Sequence, residues 1–324
     1  MRKILLGALL LCALLITAAC GNNGEAEEVT IRVAALRGPT AMGLLQLMDL
    51  AERGEANNRY EFELLGAPVE VAPLLVGDAV DVAVVPGNLA AVLYNQMDGA
   101  VQGLAVVTLG VLHIVDATGE VNTIEDLRGR TVFLTGAGAT PEFALNYVLL
   151  ANGLVPNVDV YLEFRAEAPE IAAAFELGVA EVALLPEPFV STVLGRFDFL
   201  RVAMDLTEEW NRVQSDYGLI MSVVIARREF LENYPEAVAA FMDEYAASIA
   251  FMNTELDAAA QLVVDAGLVP AVPIARSALP RTNMVFITGA EMQRSLTGFF
   301  RVLYEAHSPS VGGRVPDADF FFIR

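Results

Sequence analysis

Apolar and polar positions alternate along the chain in blocks that predict strands and helices in turn. Strand-like, mostly apolar runs such as residues 31–36 and 131–135 are typical of strands that are covered on both faces. The stretches between such runs have helical spacing, as where Phe143, Tyr147 and Leu150 share one face. Alternating strands and helices predict an α/β fold with parallel sheets and right-handed crossovers.

The sequence also repeats itself at an offset of 100 residues. The matching segments are residues 81–86 (DVAVVP) with 181–186 (EVALLP), 70–72 with 170–172, and Gly38-x-Thr40 with Gly138-x-Thr140. This repeat predicts two similar lobes, whose loops at the strand C-termini face each other across a ligand cleft.

The last third of the chain has a different pattern. A strand-like run at 217–226 is predicted to return to the first lobe, and helical patterns follow at 228–234, 236–253, 255–266 and 290–307. We predict that these extra C-terminal helices cover the first lobe. The tail of three phenylalanines at 320–322 is predicted to be a packed end, with an aromatic surface for a partner as the alternative.

The first residues of the chain are typical of an export signal. Arg2 and Lys3 precede an apolar run at 4–19, which is shorter than the roughly 20 residues that a transmembrane helix needs. A basic start, a short apolar core and small residues before Cys20 indicate a secretory signal peptide. The polar, acidic residues at 20–28 then predict a flexible tether.

The segment ITAAC at residues 16–20 resembles a bacterial lipobox, in which the cysteine is acylated and becomes the new N-terminus. Thr17 stands where leucine is most common, so cleavage after Ala19 without a lipid is the alternative. We predict an exported chain that a lipid on Cys20 anchors to the extracytoplasmic face of a membrane.

The composition excludes several classes of protein. The net charge is −21 and Lys3 is the only lysine, so the surface would repel the phosphates of nucleic acid. Cys12 lies inside the signal, so no internal disulfide is predicted for the mature chain. The Gly-x-Gly at 136–138 lacks the third glycine of a dinucleotide site. The two histidines, His113 and His307, lie in unrelated segments, and no catalytic, metal or cofactor motif is present.

The repeat and the final third together predict the domain boundaries. Residues 1–19 are the signal peptide, 20–28 the lipidated tether, 29–115 with 220–324 the first lobe, and 116–219 the second lobe. The chain is thus expected to cross between the lobes twice.

The signal, the paired α/β lobes, the Gly-Pro-Thr loop at 38–40 and the Glu-Pro loop at 187–188 resemble the NMT1/THI5-like and SsuA/TauA-type periplasmic binding proteins. The likeness covers residues 29–324. It implies a type II periplasmic-binding-protein fold, which closes on a small molecule and delivers it to the permease of an ABC importer. The family's ligands are sulfonates, taurine, nitrate and thiamine-precursor pyrimidines. The family performs no chemistry, and we expect a monomer without cofactors.

Four loops at the predicted cleft hold the candidate ligand-binding residues. One symmetric pair is Arg37-Gly38-Pro39-Thr40 with Gly138-Ala139-Thr140, and the other is Gly87-Asn88 with Glu187-Pro188-Phe189. The loops of the first pair begin helices, whose free N–H groups and dipole favour a carboxylate, a sulfonate or another electron-rich atom. Ordinary turn chemistry between a strand and a helix is the alternative.

Glu187 is predicted to meet a cationic or N–H-donating group of the ligand, because an unpaired buried charge is costly. Phe189 is predicted to lie against an apolar part of the same ligand. A surface acid beside a core phenylalanine is the alternative. Together with the helix starts, these residues favour a zwitterion or an amine-bearing heterocycle over a simple inorganic anion.

Proteins with two other functions would show the same sequence features. A ligand-sensing or adhesion lipoprotein would use this fold without transport, and some relatives with this fold are enzymes. Those enzymes act inside cells, so the export signal argues against an enzyme.

Substituting Glu187→Gln is expected to weaken ligand binding several-fold, because it removes the charge that would pair with the ligand. Calorimetric titration with the solute would measure the change. An unchanged affinity would place Glu187 outside the site.

Overall fold

The computed structural model describes residues 29–215 and 217–323. The predicted signal peptide, the lipid anchor Cys20 and the tether at 20–28 lie outside these residues. Among the described helices, none is long and apolar enough to cross a membrane.

The strands of the described residues form two separate sheets, each the frame of one lobe. The strands are β1 (Thr30–Leu36), β2 (Arg59–Leu65), β3 (Val82–Pro86), β4 (Val101–Leu109), β5 (Leu112–Asp116), β6 (Thr131–Leu134), β7 (Tyr161–Phe164), β8 (Val182–Pro186), β9 (Arg201–Asp205), β10 (Ile220–Arg227) and β11 (Met284–Ile287). The first sheet has the order β11-β4-β10-β3-β1-β2, and the second has the order β7-β6-β8-β5-β9.

Helices lie between the strands and bury the apolar side chains of the sheets. Those of the two repeats are α1 (Pro39–Met42), α2 (Leu45–Glu52), α3 (Val71–Val76), α4 (Gly87–Gln96), α5 (Thr140–Ala151), α6 (Ala168–Glu176), α7 (Phe189–Arg196) and α8 (Leu206–Val213). The C-terminal helices are α9 (Arg228–Asn233), α10 (Pro235–Thr254), α11 (Leu256–Asp265), α12 (Val272–Ala278) and α13 (Gly289–Ala306). Mixed sheets covered by helices confirm the predicted α/β class with two lobes.

The two repeats have the same sheet topology, which confirms the repeat that the sequence predicts. The order β2-β1-β3 in the first lobe corresponds to β7-β6-β8 in the second, and both sets of three are parallel. The strands β3 and β8 keep the offset of 100 residues between their bounds. Parallel strands end at one edge of a sheet, so each lobe gathers its loops at one edge.

Neither sheet is wholly parallel, which corrects the prediction of parallel sheets. β10 runs antiparallel to β3 and β4, and β5 runs antiparallel to β8 and β9. The path of the chain explains this direction, because β5 and β10 are the first strands after each crossing between the lobes. Each starts at the cleft and runs away from it, against the strands that end there.

The first crossing lies at Gly110 and Val111, earlier than the predicted boundary after residue 115. β4 and β5 belong to different sheets although only these two residues separate them. The apolar run at 101–115 contains no charge that would mark this division. A Cβ on Gly110 would overlap the side chain of Thr207 at the start of α8, so the crossing is closely packed.

Trp210 on α8 is fully buried and joins helices that belong to both lobes. The centroid of its ring lies 4.8 Å from that of Tyr147 on α5 and 6.0 Å from that of Phe299 on α13. Its indole N–H donates to the carbonyl oxygen of Tyr217 at 2.8 Å. The second crossing is the segment that leads into β10. These contacts hold it against both lobes.

The C-terminal helices cover the first lobe, as predicted, with α10 and α11 packed on α2. The sequence pattern did not predict α12 and β11. The helix α12 also reaches the second lobe, where a Cβ on Gly195 of α7 would lie 3.6 Å from Cδ1 of Ile274. The C-terminal part of the chain therefore contacts both sides of the cleft.

The aromatic tail is a packed end, as predicted. Phe320 is 0% exposed, and its ring lies 5.3 Å from that of Tyr94. The backbone passes so close that a Cβ on Gly103 would lie 2.8 Å from Cζ of Phe320. The amide of Phe322 donates to the carbonyl oxygen of Gly103 at 2.9 Å.

Substituting Phe320→Ala is expected to lower the free energy of unfolding by about 3–5 kcal/mol, because it leaves a cavity in the first lobe. Denaturant unfolding measures the change. Ile323→Ala is the matched control, since that side chain is 55% exposed, and its effect is expected within about 0.5 kcal/mol. Equal small effects would show that the tail contributes nothing to the core.

Candidate functional site

The four predicted loops meet at the facing edges of the two sheets. In the first lobe they follow β1 and β3, and in the second they follow β6 and β8. Each loop therefore sits at the carboxyl end of a parallel strand, where ligands bind in open α/β sheets. Residues of all four loops contact either the opposite lobe or neighbouring residues at the edge of their own lobe.

Asn88, at the start of α4, makes polar contacts between the lobes at this edge. It is fully buried, and its Nδ2 donates to the carbonyl oxygen of Gly138 at 3.1 Å. Its backbone N–H donates to Oγ1 of Thr140 at 3.3 Å, and the Thr140 hydroxyl donates to Oδ1 of Asn88 at 3.2 Å. Asn88 Nδ2 also donates to the carbonyl oxygen of Ser310 at 3.1 Å, which ties the C-terminal segment to the same point.

Gly38 and Phe189 form an apolar contact across the cleft. Gly38 has φ of 101°, a conformation that favours glycine. A Cβ at this position would lie 3.2 Å from Cε2 of Phe189. Both the backbone angle and the close approach therefore require glycine here, and the Phe189 ring covers the loop after β1.

Thr40 is buried beside hydroxyl groups that the sequence analysis missed. The Ser222 hydroxyl donates to Oγ1 of Thr40 at 3.4 Å. Ser222 on β10 pairs in register with Thr108 on β4, and both are 1% exposed. The available signal was the single hydroxyl residue inside each of these mostly apolar strands.

Glu187 is 0% exposed, and groups of the protein satisfy its carboxylate. Oε1 accepts from Nε of Arg281 at 2.7 Å. Oε2 accepts from the backbone N–H of Ser191 at 3.1 Å and from its hydroxyl at 2.8 Å. Arg281 Nη2 donates to Oγ of Ser191 at 2.7 Å, which closes the network.

The sequence analysis missed both partners of Glu187. Ser191 lies one helical turn further on, and its place at the N-terminus of α7 was a usable signal. Arg281 lies 94 residues away and belongs to the other lobe, so no local pattern connects it to Glu187. The charge on Glu187 is therefore paired inside the protein, so the reason given above for weaker ligand binding by Glu187→Gln, a charge that the ligand must neutralise, does not hold.

The remaining predicted residues lie at the same edges with different exposure. Arg37 and Gly138 are exposed, whereas Pro39, Gly87, Ala139 and Pro188 are buried. Gly87 allows close packing, because a Cβ there would lie 2.8 Å from the carbonyl oxygen of Ile220.

A narrow groove of about 210 Å³ lies beside the Asn88 contact, between α5 and the end of α13. Within it the ring of Phe143 stacks on His307 of the other lobe, with centroids 5.9 Å apart. Its lining comes from both lobes and consists of Glu142, Phe143, Asn146, Tyr147, Leu150, Pro156, Leu303, Ala306, His307 and Ser310.

The two histidines occupy structural places. His113 on β5 is buried, as predicted, with Nδ1 3.2 Å from the carbonyl oxygen of Val111 and Nε2 3.8 Å from Oδ2 of Asp205. His307 follows α13 and stacks on Phe143. Within residues 29–215 and 217–323, no group of three His, Cys, Asp or Glu side chains is placed to hold a metal ion.

Known structures share this arrangement of lobes. An ABC transporter protein from Parabacteroides distasonis superposes with a TM-score of 0.73 at 24% identity, covering 90% of this chain and 98% of its own. The periplasmic aliphatic sulphonate-binding protein SsuA from Escherichia coli gives 0.72 at 17% identity, covering 90% and 92%. The periplasmic nitrate-binding protein NrtA from Synechocystis PCC 6803 gives 0.60 at 14% identity, covering 82% and 75%.

No protein-family model matches the sequence, and no curated protein matches it. Two of these neighbours are periplasmic binding proteins, and this chain has the same two-lobed fold. The predicted resemblance to SsuA-type proteins is therefore confirmed in the fold.

Substituting Asn88→Ala is expected to lower the free energy of unfolding by about 1–3 kcal/mol, because it leaves buried partners unsatisfied in both lobes. Asn95→Ala is the matched control, since its Nδ2 donates to the carbonyl oxygens of Val311 and Arg314 within one lobe. Hydrogen exchange in the loop at 136–140 is expected to accelerate only in the Asn88 variant. Equal exchange in both variants would contradict the contact between the lobes.

Proposed function

We propose that the protein is the extracytoplasmic solute-binding component of an ABC importer. The observation that carries this proposal is the contact of Asn88 with Gly138 and Thr140, which joins the loop after β3 in one repeat to the loop after β6 in the other across one cleft. Two lobes that meet through such loops can enclose a solute when they close. The fold shared with ABC transporter binding proteins supports the same role.

The partners follow from this role. The closed lobes would deliver the solute to a permease, and the lipid predicted on Cys20 would keep the protein at the membrane. We propose that the protein acts as a monomer and performs no catalysis, since both histidines have structural contacts. We propose the domain boundaries given above, with the first crossing moved to Gly110.

The chemistry of the cleft favours a ligand that accepts hydrogen bonds. With Glu187 paired to Arg281, the site holds no unmatched acid among its described residues that would attract an amine. The buried hydroxyls of Thr40 and Ser222 can donate to a ligand oxygen, and the exposed guanidinium of Arg37 adds positive charge at the rim. A sulfonate-like or nitrate-like solute fits these groups better than an amine-bearing heterocycle.

A thermal unfolding screen tests this proposal. The purified protein, unfolded and refolded to remove any carried-over solute, is screened with sulfonates, taurine, nitrate, aminopyrimidines and amino acids. A solute that binds only the folded state stabilises it by about 2.7 kcal/mol at a hundredfold excess over its Kd. We expect a saturable shift from a sulfonate or nitrate. A shift from aminopyrimidines alone would overturn the ligand class, and no shift from any solute would contradict solute binding.

Substituting Thr40→Val within the same screen tests the site itself. The loss of one hydroxyl is expected to weaken binding by about threefold to tenfold. Thr254→Val is the matched control, because that hydroxyl is exposed on α10 and donates to the carbonyl oxygen of Ala250.

A further inference from the structure

Arg281 belongs to the first lobe, and its guanidinium pairs with the buried carboxylate of Glu187 in the second lobe. It ends the short helical turn Leu279–Arg281, which connects α12 to β11 in the first lobe. Glu187 follows β8 in the second lobe, and the two side chains are joined by the 2.7 Å bond between Nε and Oε1. Among the described residues, these two segments are neither consecutive in the chain nor paired in one sheet.

The two partners differ in burial. The Glu187 side chain is 0% exposed, whereas the Arg281 side chain is 46% exposed. A fully buried carboxylate needs a charged partner or several hydrogen bonds, because water cannot reach it. Ser191 supplies bonds from within the second lobe, but the only opposite charge paired with Glu187 in the described residues is that of Arg281.

The backbone around Arg281 is fixed to the first lobe beside the crossing. Asn283 Nδ2 donates to the carbonyl oxygen of Gly110 at 2.5 Å, and the amide of Leu109 donates to the carbonyl oxygen of Asn283 at 3.1 Å. The Thr282 hydroxyl donates to the carbonyl oxygen of Leu279 at 2.7 Å. Arg281 thus moves with the first lobe and reaches Glu187 only when the second lobe lies against it.

We propose that Arg281 is a lobe-positioning residue, and that its network with Glu187 and Ser191 holds the cleft closed. In the closed arrangement the pair neutralises the buried carboxylate. Without Arg281, closure would bury an unpaired charge, and opening would let water reach Glu187. Glu187 therefore serves closure, and the solute need not supply a positive group. This inference rests on the proposed function in one respect: it takes closure of the lobes as the event that traps a solute.

Small-angle X-ray scattering of the refolded protein without added solute tests the inference. Arg281→Gln is expected to increase the radius of gyration and to lower the closed population by about tenfold or more. Arg276→Gln is the matched control, because Arg276 pairs at 3.0 Å with Asp257 on the exposed surface of the same lobe. This control is expected to keep the radius of gyration of the unsubstituted protein.

The double substitution Glu187→Gln with Arg281→Gln separates positioning from general stability. It leaves no charge at positions 187 and 281, so it is expected to return the radius of gyration towards that of the unsubstituted protein. An Arg281→Gln variant that melts earlier but keeps its radius of gyration would overturn the proposal, as would a double variant that stays as open as the single one. If Arg281→Gln does not fold, Ser191→Ala is expected to give a smaller opening, and no opening would also overturn it. The scattering experiment contains no solute. A negative result would therefore contradict the role of Arg281 without contradicting solute binding.

Discussion

The direction of the strands at the cleft governs the whole arrangement. In each lobe three parallel strands end at one edge, so polar loops collect there while the strands themselves are buried. The chain must leave the first sheet through Gly110 and return before β10, so the strand after each crossing starts at this edge and runs antiparallel. The two edges face each other because the first crossing is only Gly110 and Val111, and Trp210 packs the second crossing against both lobes. The position of every candidate residue follows from that constraint.

Electrostatics then decides what the cleft can hold. The chain is strongly acidic and uses arginine for nearly all of its positive charge. Arg281 neutralises Glu187 across the lobes, so a carboxylate that would otherwise recruit an amine is already satisfied. What remains at the edges is a set of hydroxyls, an amide and an exposed guanidinium. We propose that the same pair also links closure of the lobes to a buried charge.

Much of this architecture could be predicted from local patterns. The apolar runs of β3 and β8 and the offset between them predicted two similar lobes, and the tail at 320–322 was correctly predicted to pack. The antiparallel strands were not predicted, because an apolar run does not reveal the direction in which a strand enters a sheet. The boundary was placed too late for a related reason: residues 101–115 contain no Asp, Glu, Lys or Arg to mark a division, although Gly110 divides them between two sheets.

The sequence by itself determined the α/β class, the repeat and the loops that carry polar residues, since these depend on periodicity and on neighbours along the chain. Only the tertiary structure decided which groups meet. Asn88 contacts Gly138 about 50 residues away, and Glu187 contacts Arg281 about 94 residues away. Burial and pairing of charge are properties of groups brought together from distant segments, so the role of Glu187 could not be inferred from its own loop.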